Sequence, residues 1–294
     1  MSYEYDAIVI GGGAAGLTTS GICANFGAKT IMIEAEKLGG DCTWYGCIPS
    51  KTLLKAAKVS KHIRNASQYG LIDTEPQIDF KKLMDHVRKV RQDVYEEADD
   101  PQIYRDMGIE VAEGWGSFVD DHTVKISSKD GSEREITGRY IFVNTGGSTF
   151  LPPVPGMEDV HCLTNESLFE LDEAPGEMII IGSGPIGTEM AQALNLLGCK
   201  VTVVDMIDRI LANDDQELAG ILQKKMEDQG VSYVLGAKIT KAEKNGSRMQ
   251  ITTEEKDGSK KILEADAMMM ATGRRPNVQG LNLEAAGVEY DKKG

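Results

Sequence analysis

Two stretches of the chain share one pattern of apolar, glycine-rich and polar positions. In the first, an apolar run at 7–10 leads directly into a glycine-rich segment at 11–16, a helix-like run at 17–26 and a second strand-like segment at 28–34 that ends on an acid. A continuous apolar run of this length is typical of a parallel strand buried on both faces. Strand, glycine loop, helix, strand and terminal acid at this spacing predict a dinucleotide-binding βαβ unit.

The second stretch repeats the pattern with a strand at 178–181, a glycine loop at 182–187, a helix at 188–197 and a strand at 200–205. One such loop holds one pyrophosphate at the positive end of its helix, so the two stretches predict two dinucleotide sites. The repeat places the chain in the α/β class.

Each position of the motif has a separate physical role. In the first loop, Gly11 makes the turn, Gly13 lets the backbone approach the pyrophosphate, and Gly16 lets helix and strand pack closely. Glu34 and Asp205, at the ends of the two second strands, can accept hydrogen bonds from a ribose diol and repel a 2′-phosphate. The second ligand is therefore expected to be NAD(H) and not NADP(H).

The rest of the chain predicts further elements around these two units. Helices are expected at 52–64, 79–97 and 215–229, short strands between 109 and 143 with a turn at 129–132, and a small β-rich part at 231–264. The proline cluster at 151–156 is interpreted as a linker, so we predict domains at 1–150 and 151–277, with 278–294 beginning a return to the first. The three methionines 268–270 favour a strand core over a soft metal site, and no metal is expected.

Cys42 and Cys47 lie in a segment with glycine and proline around them and Lys51 shortly after. Residues five apart in a regular helix have Cα atoms about 8–9 Å apart, whereas a disulfide needs about 7 Å or less. If the two cysteines pair, the backbone between them is bent, which Gly46 and Pro49 permit. Two unpaired core cysteines and half of a zinc site are the alternatives, although no second Cys or His pair follows at zinc-finger spacing.

Composition excludes several classes of partner. The chain has 294 residues, a formal net charge of −14 and five cysteines. This charge argues against binding to nucleic acid or to an anionic membrane. The chain shows no secretory signal and no apolar run long enough to span a bilayer, so we expect a cytoplasmic protein. Disulfides in the cytosol are usually transient or catalytic, which favours the redox interpretation of the cysteine pair.

Together these motifs resemble the flavin-dependent pyridine nucleotide-disulfide oxidoreductases, which include dihydrolipoamide dehydrogenase, glutathione reductase and mercuric reductase. The resemblance rests on the two glycine loops, on the segment 39–51 with its two cysteines, and on the segment 271–277. It implies two Rossmann-like FAD/NAD(P)-binding domains of the three-layer ββα type. FAD in the first site would receive electrons from NADH in the second and pass them to a Cys42–Cys47 disulfide. Cys47 would be the flavin-side thiol and Cys42 the thiol that meets the substrate.

The resemblance also implies the remaining site residues. The catalytic candidates are Cys42, Cys47, Lys51 near the flavin, and Glu189 as the acidic partner of that lysine. The alternative for Glu189 is an acid in the first turn of its helix that complements the dipole. The cofactor-binding candidates are Gly11, Gly13, Ala14, Ala15, Gly16, Glu34, Gly40, Asp41, Thr145, Gly146, Gly182, Gly184, Pro185, Ile186, Gly187, Asp205 and Gly273.

Three departures from the family pattern limit what the resemblance implies. The insert Thr43-Trp44-Tyr45 replaces a smaller one, and we expect its aromatic rings to narrow or reshape access to Cys42; it favours the mercuric-reductase-like branch. Asn144–Gly147 stands where Ala-Thr-Gly-Ser is common. The chain stops at Gly294, before the expected interface domain, so we expect a C-terminally truncated form that lacks this domain with its acid–base pair.

Two functions therefore remain as hypotheses. The first is electron transfer from NADH through FAD and the cysteine pair to a small-molecule or protein-bound disulfide or to a metal ion. The alternative is a catalytically silent nucleotide-binding fragment of such an enzyme. We expect a homodimer for the full-length form and a monomer for this chain.

Overall fold

A computed structural model of the protein describes residues 2–291 and divides the chain into two compact units. The first unit consists of the residues up to 48, of 89–148, and of those from 275 onward; the second consists of 49–88 and 149–274. Residues 49–88 belong to the second unit because Leu53, Ala57 and Met84 are buried in its core. The assignment of one nucleotide to each domain stays a prediction, and the return segment 278–294 is described only as far as residue 291.

The predicted helices are present, two of them with clearly different bounds, and the short helices at 40–44, 101–106 and 165–168 were not predicted. Helix α3 begins at Cys47, before the predicted start at 52, because Pro49 lies in its first turn, where a backbone N–H has no helical partner. The helix predicted over 79–97 ends earlier and continues as a wide π-type turn, Tyr95–Asp99. The helices are α1 (Ala14–Asn25), α2 (Gly40–Trp44), α3 (Cys47–Arg64), α4 (Phe80–Val94), α5 (Pro101–Asp106), α6 (Asn165–Leu168), α7 (Pro185–Leu196) and α8 (Gln216–Asp228).

The strands form the sheets of two βαβ-based units and a short ribbon. They are β1 (Tyr5–Ile10), β2 (Thr30–Glu34), β3 (Glu110–Glu113), β4 (Trp115–Phe118), β5 (Thr123–Ser127), β6 (Glu133–Val143), β7 (Gly147–Thr149), β8 (Glu177–Ile181), β9 (Lys200–Asp205), β10 (Ser232–Leu235), β11 (Lys238–Asn245), β12 (Arg248–Glu254), β13 (Lys260–Ala265), β14 (Ala267–Met270) and β15 (Arg274–Pro276). The ribbon is the pair β7 and β15.

The first unit has three layers built around the order β3-β2-β1-β6-β5-β4. Strands β3, β2, β1 and the second half of β6 are parallel, whereas the first half of β6 pairs antiparallel with β5, which pairs with β4. Because side chains alternate along a strand, Ile8 and Ile31 pack towards the antiparallel strands, and Val9 and Met32 pack with Leu17 of α1. This ββα arrangement leaves the carboxyl ends of β1 and β2 at the first glycine loop.

The second unit repeats the plan with the all-parallel order β10-β9-β8-β14 and the separate antiparallel sheet β11-β12-β13. Ile179 and Met268 pack in the cluster that includes the antiparallel sheet, while Ile180 and Met269 pack in the cluster that includes the helices. The three methionines 268–270 are fully buried in β14, which confirms the prediction of a strand core. The α/β class with two Rossmann-like units is thus confirmed. Over the described residues, no helix combines the length and the apolar character needed to cross a bilayer.

Candidate functional site

The first glycine loop joins β1 to α1 through three differently constrained glycines. Gly11 has φ +103°, and a Cβ there would lie 2.3 Å from the carbonyl oxygen of Asn144. A Cβ on Gly16 would lie 1.8 Å from the carbonyl oxygen of Gly11, so only glycine allows α1 to approach β1 this closely. At Gly13 the nearest atom to a Cβ would be the Cα of Gly40, at 3.7 Å. The middle glycine therefore leaves open space beside the loop.

The second glycine loop, between β8 and α7, reproduces this geometry. Gly182 has φ +109°, and a Cβ there would lie 2.3 Å from the carbonyl oxygen of Ala271. A Cβ on Gly187 would lie 2.0 Å from the carbonyl oxygen of Gly182, whereas Gly184 has no atom within 4 Å of a Cβ position. The tight turn and the close helix packing that the sequence predicts are present at both loops. The contacts with nucleotide stay predictions.

The N-termini of α1 and α7 present their first backbone N–H groups without a competing anion. Neither helix has an acidic residue in its first turn, and neither N-cap glycine supplies a side-chain cap. Ala14 and Ala15 open α1, and Pro185 and Ile186 open α7, where proline is tolerated because the first N–H has no helical partner. Both helix starts therefore fit a pyrophosphate group.

Glu34 and Asp205, the acids at the ends of β2 and β9, accept hydrogen bonds from the two glycine loops. Oε2 of Glu34 accepts from the N–H of Gly12 at 2.6 Å, and its Oε1 accepts from the N–H of Glu36 at 2.7 Å. Oδ2 of Asp205 accepts from both the N–H and the hydroxyl of Ser183, each at 2.7 Å. This role of the acids was missed from the sequence. Each carboxylate oxygen has further lone pairs, so a ribose diol can still be accepted at both sites.

Cys42 and Cys47 lie on two different helices that meet at a sharp bend. Cys42 is in the short α2, Cys47 opens α3, and a Cβ on Gly46 between them would lie 2.8 Å from the carbonyl oxygen of Asp41. Both cysteines are free thiols in this structure, and their side chains are in hydrogen-bond contact. The bend that pairing requires is therefore present, and the pair is in its reduced form.

The two thiols have different surroundings. Cys42 is partly buried, whereas Cys47 is exposed. Burial, followed by the hydrogen bond to Cys47, raises the pKa of Cys42 to about 11. Cys42 therefore holds its proton at neutral pH.

Trp44 of the insert between the cysteines packs inward; the expectation that the insert narrows or reshapes access to Cys42 stays a prediction. The indole of Trp44 donates to the carbonyl oxygen of Leu38 at 2.8 Å, and its ring lies against Tyr95 and under the ammonium group of Lys37. Its burial follows from this aromatic and cation–π packing. Trp44 therefore anchors α2.

Lys51 and Glu189 form an ion pair within the second unit. The ammonium group lies 2.9 and 3.1 Å from the two carboxylate oxygens, and both side chains are substantially exposed. Lys51 lies one helical turn after Cys47 on α3. Glu189 lies beyond the first turn of α7. The alternative that it is a first-turn acid complementing the helix dipole is therefore wrong. The structure thus brings together the lysine and the acid that the resemblance pairs.

The remaining candidates line the loops that follow the strands. Gly40 has φ +51° and packs on Gly13, so α2 with Asp41 is held against the first glycine loop. The hydroxyl of Thr145 donates to the carbonyl oxygen of Asn277. The backbone N–H of Asn277 donates to the carbonyl oxygen of Gly146. Gly273 accepts from the N–H of Phe150. Within residues 2–291, no group of His, Cys, Asp or Glu side chains is arranged to hold a metal ion.

A cleft of about 310 Å³ opens beside Cys42 within the first unit. Thr18 of α1, Thr43 of α2, Asp99 of the wide turn and Tyr104 of α5 contribute polar groups to its wall. No local pattern of the sequence points to this role of Asp99, because it lies 56 positions after Thr43, the residue that it contacts.

The family model for pyridine nucleotide-disulphide oxidoreductases matches residues 5–294. The chain belongs to this family. Members of this kind use FAD and NAD(P)H. The chain is 35% identical over 297 residues to a mercuric reductase of Bacillus cereus, covering 100% of this chain and 45% of that protein. It is 34% identical to a dihydrolipoamide dehydrogenase of Chaetomium thermophilum, covering 99% of this chain and 58% of that protein.

Solved structures give the same relationship. The HOCl-induced flavoprotein disulfide reductase RclA from Escherichia coli, in a Cu(II) complex, matches with a TM-score of 0.85 at 29% identity, covering 100% of this chain and 62% of that one. The chain spans about half the length of the curated relatives it matches.

Proposed function

We propose that the protein passes electrons from NADH, through FAD held at the first glycine loop, to a Cys42–Cys47 disulfide and on to a disulfide or metal-ion acceptor. The observation that carries this proposal is the contact between the two thiols across a bend whose N-terminal side, at Gly40, packs on Gly13 of that loop. Two cysteines already in contact suit repeated oxidation to a disulfide and reduction to thiols.

The first unit fits FAD through its backbone. The open space at Gly13, the uncapped start of α1 and the carboxylate of Glu34 would hold the pyrophosphate and the ribose. FAD supplies a carrier that takes two electrons from a nicotinamide and gives them to a disulfide. The chain's own contribution is to fix α2, and with it Cys42, beside this loop.

The second unit favours NADH over NADPH. Asp205 places a negative charge at the end of β9, where a 2′-phosphate would have to lie. The guanidinium of Arg209, the nearest arginine along the chain, donates to the backbone carbonyl oxygens of Leu211, Ala212 and Asp214. Because its donors hold its own loop, Arg209 is not available to neutralise a 2′-phosphate without breaking those bonds.

Lys51 and Glu189 are assigned the roles that the resemblance implies. The carboxylate of Glu189 holds the ammonium group of Lys51 in place, because it accepts from it with both oxygens. An exposed ion pair of this kind contributes only about 0.2–1 kcal/mol to stability. The two-oxygen contact is therefore better explained by positioning a charge than by stabilising the fold.

The acceptor, the location and the assembly belong to the same proposal. Relatives named mercuric reductase, dihydrolipoamide dehydrogenase and glutathione reductase support a disulfide or a metal ion as acceptor. A net charge of −14 supports a protein without nucleic-acid or membrane partners. We place the protein in the cytoplasm, and the full-length form in a homodimer.

The proposal is tested by counting thiols after anaerobic addition of NADH to the oxidised, FAD-reconstituted chain. Two new thiols per chain, mapped to Cys42 and Cys47 by mass spectrometry, are the expected result, and NADPH at equal concentration should release them at least about tenfold more slowly. Cys42→Ser and Cys47→Ser variants should release none from this loop. Flavin reduction without new thiols would show a catalytically silent nucleotide-binding module.

A further inference from the structure

Asp99 is a buried carboxylic acid that the electron path described above does not use. Its side chain is only 7% exposed, and it lies in the wide turn that follows α4. It lines the same cleft as Cys42, although the two residues are 57 positions apart. A buried acid costs free energy unless it is hydrogen-bonded, so its presence at this cleft needs an explanation.

The hydroxyl of Thr43 supplies the hydrogen bond. It donates to Oδ2 of Asp99 at 2.5 Å, and Thr43 is itself buried. Thr43 is the residue directly after Cys42 in α2, so this bond ties the thiol-bearing turn to the acid. Gly39 completes the enclosure, since a Cβ there would lie 2.6 Å from the same carboxylate oxygen.

The carboxylate faces ionisable groups from three elements. Burial is the main cause of the raised pKa of the Cys42 thiol on α2, of Tyr95 in its own turn and of Tyr104 on α5, and the charge of Asp99 adds a smaller contribution to each. Burial raises the pKa of Asp99 itself, and the hydrogen bond from Thr43 opposes this shift. Among the described residues that line the cleft, none is basic, so no cation there offsets the carboxylate.

The charge of Asp99 can influence which sulfur of the reduced cysteine pair is ionised. Two electrons and one proton break the S–S bond and leave one thiol and one thiolate, and the negative charge can reside on either sulfur. A carboxylate next to one of two sulfurs disfavours the anion on that sulfur. Asp99 acts on Cys42, whereas Cys47 opens α3, where the helix dipole favours an anion.

We propose that Asp99 is a positioning residue, which acts through Cys42 and Thr43 to keep the proton on Cys42 so that the thiolate of the reduced pair resides on Cys47. This inference rests on the proposed redox role of the pair. It identifies a residue of the same chain that determines which of the two sulfurs carries the negative charge.

The test measures the alkylation of each thiol and needs neither NADH nor an acceptor. The purified chain, with and without FAD, is reduced chemically, and iodoacetamide is added at pH 8; fragment-ion mass spectrometry then gives separate rates for Cys42 and Cys47. In Asp99→Asn, which can still accept from Thr43, the rate at Cys42 should rise about two- to threefold, since the Asp99 charge is one of several causes of the raised pKa and a full pKa unit would change the thiolate fraction about tenfold. The ratio of the Cys42 rate to the Cys47 rate should rise with it.

The matched control is Asp100→Asn, which removes the same charge one residue further along. Asp100 caps α5 by accepting from the N–H of Gln102, and asparagine can keep this bond. The control should leave the ratio at its wild-type value. An unchanged ratio in Asp99→Asn, or an equal rise in both variants, would overturn the proposal.

A second variant covers the case in which Asp99→Asn does not fold. Thr43→Val removes the hydrogen bond that holds the Asp99 carboxylate against the turn of Cys42, so the carboxylate is no longer fixed there and the Cys42 rate should rise, whereas Thr43→Ser should restore the wild-type ratio. Equal ratios in Thr43→Val and Thr43→Ser would contradict the proposal. Because no electrons enter from NADH, these results are separate from those that test electron transfer.

Discussion

The glycines of the two loops differ in what a single added methyl group would contact. At Gly187 the Cβ position is 2.0 Å from a backbone oxygen, whereas at Gly184 it meets no atom within 4 Å. The first distance can be relieved only by moving α7 away from β8. The second position is open, as expected for a loop that approaches a nucleotide. We therefore expect Gly187 to serve the fold and Gly184 to serve binding.

This difference predicts opposite effects for two alanine substitutions. Gly187→Ala should lower the free energy of unfolding by about 1–3 kcal/mol, the usual cost of forcing extra volume into a packed region. Gly184→Ala should leave it within about 0.5 kcal/mol and weaken NADH binding about tenfold or more, because the Cβ occupies space that the pyrophosphate needs. Urea unfolding and fluorescence titration with NADH measure the two quantities. Equal losses of stability in both variants would contradict the separation of roles.

At the scale of elements, the position of α2 beside α3 depends on the packing of Trp44. Its ring packs on Lys37 and Tyr95, and its indole N–H is satisfied by the carbonyl oxygen of Leu38. The one-turn α2 is too short to be stable by itself. Its position, and that of Cys42, therefore comes from this buried side chain.

Trp44→Ala should lower the free energy of unfolding by about 3–5 kcal/mol, as expected for a large buried aromatic residue. Trp44→Phe keeps most of the packing and leaves the Leu38 carbonyl oxygen without its donor, so it should cost less than the alanine variant. Trp115→Ala is the control, because Trp115 is 55% exposed and its removal should cost little. If urea unfolding gave the same loss at positions 44 and 115, Trp44 would not be the anchor of α2.

Elements with a strong local pattern were predictable from the sequence, and contacts between distant segments were not. The strands around both glycine loops lie within a few residues of their predicted bounds, because continuous apolar runs and glycine turns are local signals. The start of α3 was placed too late, since proline at the third helical position looks like a breaker without the helix in view. The inward packing of Trp44 and the bond between Thr43 and Asp99 depend on tertiary contacts, which no local pattern encodes.

At the scale of the whole molecule, three partly or fully buried thiols link stability to alkaline pH. The pKa is raised from about 9 to about 11 at Cys42 and Cys162, and to about 12 at Cys199, chiefly by burial. A raised pKa in the folded state stabilises the fold fully below the unfolded value. That contribution is lost as pH rises towards the folded value, because the unfolded chain releases the protons first.

The free energy of unfolding of the reduced protein should therefore fall as pH rises from about 9 to about 11. Urea unfolding at pH 8, 9 and 10 measures it, and Cys199→Ala should show a shallower slope because one of the three thiols is gone. A slope that is zero over this range, or equal in wild type and Cys199→Ala, would contradict the assignment.

The central claim is that the chain holds two coupled electron acceptors, the flavin and the Cys42–Cys47 pair. An anaerobic titration of the oxidised, FAD-reconstituted chain with NADH tests it most directly, with absorbance at the flavin band and at 340 nm recorded after each addition. Each acceptor takes two electrons, so about two equivalents of NADH should be consumed before free NADH accumulates, and Cys47→Ser should consume about one. Consumption of one equivalent or less by the wild-type chain would contradict the account.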